Sequence, residues 1–171
     1  YTQGAYYIAS LADKIYLNPS GMIDIHGIGA QPMYIKDLAA KFGIHYQVVK
    51  VGAYKSATEA YTSDRMSKAN RIQQTAIING TWKTISDAIS ESRHISKDSI
   101  NAYADRLILL TDPKNYKKDK LVDGFLYNDE MKNVVKKQLG IDDDQTISQV
   151  SPEDMEKVDQ HDNGEEVAVY Y

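Results

Sequence analysis

A chain of 171 residues fits one domain or one large piece of a longer protein. Hydrophobic residues make up 42% and charged residues 26% of it, which excludes disordered, collagen-like and low-complexity sequence as whole-chain readings. Twenty Lys and Arg against 24 Asp and Glu leave a net charge of −4 with no basic block, which makes the chain a poor candidate for wrapping nucleic acid.

In chain order, residues 5–12 read as a short buried helix and residues 14–17 as an extended segment. Asn18-Pro19-Ser20-Gly21 is a strong turn cluster. Residues 22–25 alternate apolar and polar positions, as a strand does, and His26-Gly27-Ile28-Gly29 follows as a glycine-rich loop. Pro32 suits the first turn of a helix that carries Met33, Ile35, Leu38, Ala39 and Phe42 and is closed by Gly43. Residues 44–51 form the clearest strand pattern, ending at Gly52. Ser67 caps a long helix running to about Arg93, with Ile78, Trp82, Ile85 and Ile89 on one face. Another helix starts after Ser96, with Ile95 placed as its hydrophobic staple. Asp112-Pro113 opens an irregular-to-helical stretch, and residues 120–124 read as a short strand and turn. Asn128 caps a helix stopped by Gly140, and Asp142-Asp143-Asp144 is a polar break. Ser151-Pro152-Glu153-Asp154 is a helix start with its cap, its first-turn proline and its acid in place. Residues 166–171 read as a final strand. The alternation of helical and extended signals in the first two-thirds predicts an α/β domain with a largely helical C-terminal half.

The chemistry available is narrow. With no cysteine, disulfides, thiolate catalysis and Cys-ligated zinc are all removed. The histidines at 26, 45, 94 and 161 show no metal-binding spacing, and the aspartates at 142–144 lack the glycine and distal glutamate of a calcium loop. His26-Gly27-Ile28-Gly29 is too short for a dinucleotide fingerprint. No cofactor and no metal are expected. No apolar run approaches the ~18 residues a membrane span needs, and no signal-peptide pattern opens the chain. Tyr1 is an unusual first residue, so the chain is expected to be cut from a longer protein, with any anchor or export signal outside it.

One segment stands apart. In Val51-Gly52-Ala53-Tyr54-Lys55-Ser56-Ala57-Thr58-Glu59 a strand pattern ends and a lysine follows in the loop, where α/β folds place active-site groups. Ser56 and Glu59 match a capping box, which would start a helical turn at Ala57 and put Lys55 just before its positive end. Positive potential disfavours an ammonium, the direction a lysine general base needs. A lone lysine after a strand is otherwise a surface lysine, and spacing alone does not separate the two.

Gly4-Ala5-Tyr6-Tyr7-Ile8-Ala9-Ser10, then Asp13-Lys14-Ile15-Tyr16-Leu17-Asn18-Pro19 and Gly21, resemble the signal peptide peptidase A family, also called protease IV. Gly27 and Tyr34 continue the register, and residues 51–59 resemble the lysine motif of its long, two-copy members. Asp64, Met66 and Ser67, and later Leu121-Val122-Asp123, continue the resemblance, which covers the chain to about Gly140. It implies a ClpP/crotonase-like α/β unit, truncated at its N-terminus, over residues 1–140. Residues 141–171 would be an acidic connector, short helix and strand leading to a second copy. It implies a serine–lysine dyad split between the copies, with Lys55 as general base here and the serine in the second copy. Where that copy has its nucleophile, this chain has Gln3, which cannot attack a carbonyl; Thr2 is one residue out of register. The resemblance further implies peptide substrates such as cleaved signal peptides, a homo-oligomeric ring (a tetramer), and a place on the periplasmic side of the bacterial inner membrane. Two other classes stand beside this reading: a crotonase-type enzyme acting on an acyl-thioester, and a non-catalytic assembly module.

Overall fold

The computed structural model describes residues 1–156, in two units that divide between Tyr127 and Asn128. In the first unit, Thr2 begins α1 (Gln3–Ala9) with its hydroxyl accepting from the Ala5 N–H. The helix therefore starts and stops earlier than residues 5–12, because a polar cap rather than the apolar run sets its first turn. Tyr6 is fully buried, and its hydroxyl donates to the Leu121 carbonyl at 2.7 Å, which ties α1 to a segment 115 residues away.

The sheet is small. β1 (Tyr16–Leu17) and β2 (Gly124–Phe125) run parallel, with Tyr16 opposite Gly124 and Leu17 opposite Phe125. A Cβ on Gly124 would meet the Tyr16 ring at 3.3 Å, so a glycine suits that close pairing. Asp123 secures the entry to both strands. One carboxylate oxygen accepts from the Ile15 N–H at 2.9 Å and from Arg93 Nη2 at 3.0 Å, while the Asp123 N–H donates to the Ile15 carbonyl. Leu121 and Val122 are buried in irregular backbone just before β2, and Lys120 turns the chain with φ 62°. The strand expected over 120–124 thus begins only at Gly124.

Two expected strands do not form. Residues 22–25 are not paired as a strand, although Ile23 and Ile25 are fully buried as the alternation required. Residues 44–51 form no strand either: among the described residues none of the backbone hydrogen bonds involves residues 45–51, and Val49 and Val51 are 93% and 87% exposed. Strand propensity is realised only against a neighbouring strand, and no such neighbour lies beside this segment among the described residues.

Helices carry the rest. α2 (Lys36–Lys41) starts later than Pro32 and buries only Ala39, and Gly43, at φ 74°, ends it as expected. α3 (Glu59–Thr62) is joined to the start of α2 by the Ile35 N–H donating to the Ala60 carbonyl. α4 (Lys68–Arg93) is a 26-residue helix capped by Ser67, whose hydroxyl accepts from the Asn70 N–H. Its apolar face is graded: Ile89 is fully buried, Trp82 and Ile85 pack partly against the core, and the N-terminal half leaves Ile72 and Ile77 exposed. His94 closes it in the left-handed conformation, φ 53°. α5 (Lys97–Asp105) is capped by Ser96, and Ile95 and Ile100 are buried in one cluster, as a staple pair should be. The Trp82 indole N–H donates to Asn101, pinning α4 to α5. A 3-10 turn (Ile108–Leu110) and α6 (Lys114–Lys118) lead to β2 and contribute Ile108 and Tyr116 to the core.

The second unit contains α7 (Asn128–Leu139), which ends at Gly140 with φ 67°, and α8 (Pro152–Met155). Ser151 caps α8 through the Asp154 N–H, with Pro152 in the first turn, as its sequence predicts. The strand expected over 166–171 lies outside the described residues.

Candidate active site

The lysine loop leaves the extended segment at Gly52, whose φ of 99° is open to glycine and strained for any other residue. A chain reversal follows: the Ser56 N–H donates to the Tyr54 carbonyl, and Lys50 Nζ reaches across to the Lys55 carbonyl at 3.3 Å. The Tyr46 and Tyr61 rings, 5.1 Å apart, hold the preceding segment beside α3. Lys55 itself is exposed. It stands at a cavity of about 380 Å³ whose walls include Val48, Val49, Tyr54, Thr58 and Gln73. Thr58 Oγ1 and Gln73 Oε1 are buried there without a hydrogen-bond partner among the described residues.

The capping box expected from Ser56 and Glu59 does not form. α3 begins at Glu59, its cap position is Thr58 with no side-chain bond, and it has four residues. So short a helix carries little dipole, and the positive end anticipated beside Lys55 is missing. Glu59 serves a different helix. Its side chain, 3% exposed, accepts from Ser67 Oγ at 2.6 Å, from the Ser67 N–H at 3.2 Å and from Asn70 Nδ2 at 3.0 Å. All three donors belong to the first turn of α4. The Ser67 hydroxyl bond is the main reason the carboxyl is held below the ordinary carboxylate range. Burial acts against it, and the Ser67 N–H, Asn70 and the Lys50 charge add to it. No local spacing announces this arrangement, since Glu59 and Ser67 are eight positions apart.

Gln3 is likewise built in rather than available. Its carboxamide oxygen accepts from the N–H groups of His26 and Gly27 at 3.0 and 2.9 Å, and its nitrogen donates to the Gly27 carbonyl at 3.0 Å. The residue standing in the nucleophile's register therefore clamps the glycine loop, in which Gly27 has φ 75°. Thr2 is spent on the α1 cap. Neither residue lines the cavity at Lys55, and Ser56, which does, is the lysine's own neighbour in sequence.

Among the described residues no group of His, Asp or Glu side chains is placed to hold a metal ion. No described helix is long and apolar enough to cross a membrane. A larger cavity, about 610 Å³, lies between Ser10, Asp13, Arg93, His94 and Lys120, away from the lysine motif. Its most buried cation, Arg93, is already committed to Asp123 and to the Lys120 carbonyl.

Comparison with known proteins bears on the family. "Protease 4" of Salmonella typhi is 35% identical over 146 residues, covering 82% of this chain and 24% of that protein. "Protease 4" of Haemophilus influenzae is 38% identical over 100 residues, 58% of this chain and 16% of that protein. "Serine protease SPPA, chloroplastic" of Arabidopsis thaliana is 21% identical over 145 residues, 85% and 21% of the two chains. The chain thus spans about a quarter or less of the length of these relatives. The resemblance read from the lysine motif and its flanks is met by these names, and the model of Peptidase family S49 matches residues 1–142. The chain belongs to peptidase family S49.

Proposed function

We propose that this chain is the lysine-bearing fragment of a bacterial membrane-associated serine endopeptidase that degrades cleaved signal peptides, with Lys55 as its general base. The observation that carries the reading is the lysine in Val51-Gly52-Ala53-Tyr54-Lys55-Ser56, set on a glycine-dependent turn at the rim of a cavity in a family S49 chain. Residues 1–140 supply a ClpP/crotonase-like unit, and residues 141–171 lead toward a second copy that carries the serine. That copy is consistent with a relative of which this chain spans only 24%.

The chemistry follows from the residue types. A serine hydroxyl is a weak nucleophile until a base accepts its proton. The neutral amine of Lys55 takes that proton as the serine oxygen bonds to the peptide carbonyl carbon. The ammonium then protonates the leaving amine as the C–N bond breaks. Water hydrolyses the acyl-enzyme by the same route, the lysine again accepting the proton and returning it to the serine. A base must be neutral to act, and desolvation favours the neutral amine. Lys55 is exposed in this chain, so the covering wall comes from the second copy. The assembly is a homo-oligomeric ring, a tetramer, on the periplasmic side of the inner membrane, anchored by a segment other than the helices described here.

The test is Lys55→Ala in the full-length parent protein, assayed on a fluorogenic signal-type peptide. Turnover should fall by about 10⁴-fold or more, since members of such a catalytic unit act together. Helical circular dichroism should be unchanged. A folded Lys55→Ala protein with ordinary turnover would remove the assignment.

A further inference from the structure

If Lys55 is the base, a reading on which this inference rests, its loop needs an anchor. The cavity wall around it is exposed and turn-rich, and residues 45–51 bring no backbone hydrogen bonds among the described residues. What ends the loop is Glu59, a side chain 3% exposed and bonded to Ser67 and Asn70. Those donors sit in the first turn of a 26-residue helix whose far end is in the core through Ile89. We infer that Glu59 is a positioning residue for Lys55: it clamps the lysine loop to the N-terminus of α4, so that a rigid helix rather than the loop sets where the amine stands.

Three features of the contact favour positioning over mere surface decoration. The carboxylate is buried, yet its bonds to Ser67 and Asn70 all go to one helix turn, so its direction is fixed by a single rigid body. The Ser67 hydroxyl is used twice, donating to Glu59 and accepting from the Asn70 N–H, which couples the clamp to the helix cap. Thr58, the residue before Glu59, and Gln73, one turn beyond Asn70 on α4, both line the cavity at Lys55. The clamp therefore brings a wall of the cavity from each side of the joint. Misplacing a reacting group by about 1 Å can cost on the order of 10²-fold in rate, and releasing the loop is a way to do so without touching the chemistry.

The experiment uses the full-length parent protein with a fluorogenic peptide, comparing Glu59→Ala, Glu59→Gln, Ser67→Ala and Lys55→Ala, with kcat expressed per folded molecule from circular dichroism. Glu59→Ala should lower kcat about 10- to 100-fold with KM within about twofold, the pattern of a displaced base rather than lost substrate binding. Glu59→Gln should keep kcat within about threefold. Its carboxamide oxygen can still accept from the Ser67 N–H and Asn70 Nδ2, and its NH₂ can donate to the Ser67 hydroxyl oxygen. Ser67→Ala should fall between the two, and it decides the matter if Glu59→Ala does not fold. A purely structural Glu59 would lower the folded fraction and leave kcat per folded molecule unchanged, in Glu59→Ala or failing that in Ser67→Ala; that result overturns the positioning role. If Lys55→Ala stays active, the base assignment itself fails and the positioning role goes with it. If Lys55→Ala is dead while Glu59→Ala keeps full kcat, only the positioning role is lost.

Discussion

At Glu59 and Asp123 two carboxylates leave water and stay charged because specific donors meet them. For Glu59 the Ser67 hydroxyl leads, burial opposes, and the net effect is a carboxyl held below the ordinary range. A group whose folded value lies below its unfolded one stabilises the fold at pH above the unfolded value, about 4.3 for Glu, and loses that contribution as pH falls through the folded value. The melting-temperature gap between the natural protein and Glu59→Gln should thus be widest near neutrality and shrink below about pH 4. A gap that stays constant through the acid range would contradict it. At Asp123 burial pushes the carboxyl up, but the Ile15 N–H and Arg93 outweigh it and the net shift is downward. Removing that side chain strands a guanidinium whose side chain is only 10% exposed. Asp123→Ala should cost about 2 to 3 kcal/mol in urea unfolding, since it releases α4, β1 and β2 together.

Among the elements, α4 changes character along its length. Its C-terminal half buries Ile89 and packs Trp82 and Ile85 on the core, while Ile77 is 55% exposed. Ile89→Ala should cost about 3 kcal/mol, and Ile77→Ala about 0.5 kcal/mol or less, both read from urea midpoints. Equal costs would mean that the helix is packed along its whole length. The lysine loop depends on a different kind of residue. With φ at 99°, Gly52 tolerates no side chain without strain; Gly52→Ala should cost about 1 to 3 kcal/mol locally. It should lower turnover of the parent protein more than its melting temperature, because the strain is relieved by moving the loop that holds Lys55.

On the scale of the whole molecule, neither residue at the register of the family's nucleophile, Gln3 or its neighbour Thr2, is brought to the proposed base. Gln3 is bonded into the glycine loop and Thr2 into a helix cap, and neither lines the cavity at Lys55. The 171-residue chain by itself should neither cleave a fluorogenic signal-type peptide nor take up a fluorophosphonate probe. A labelled serine mapped by mass spectrometry would show that a complete site exists within it and would overturn the split-dyad reading. The same incompleteness appears at 44–51. That run has the composition of a strand, is largely exposed, and carries no ladder among the described residues.

What the sequence determined by itself is what is decided within a turn or two of chain. Ser67, Ser96 and Ser151 cap the helices they were expected to cap, Gly43 and Gly140 end theirs, and the long helix runs to Arg93. In each case the donor and acceptor are about three to five residues apart, so local order suffices. The lysine motif was legible too, as a pattern of residues rather than a geometry. The tertiary structure alone decided the rest. The Glu59 carboxylate is bonded to Ser67 rather than to the Ser56 backbone N–H of a capping box, Gln3 closes a loop 23 and 24 residues away, and Tyr6 reaches Leu121 across 115 residues. A strand or a buried polar group is completed by a partner, and when that partner is distant in sequence, or outside the chain, no local pattern can name it.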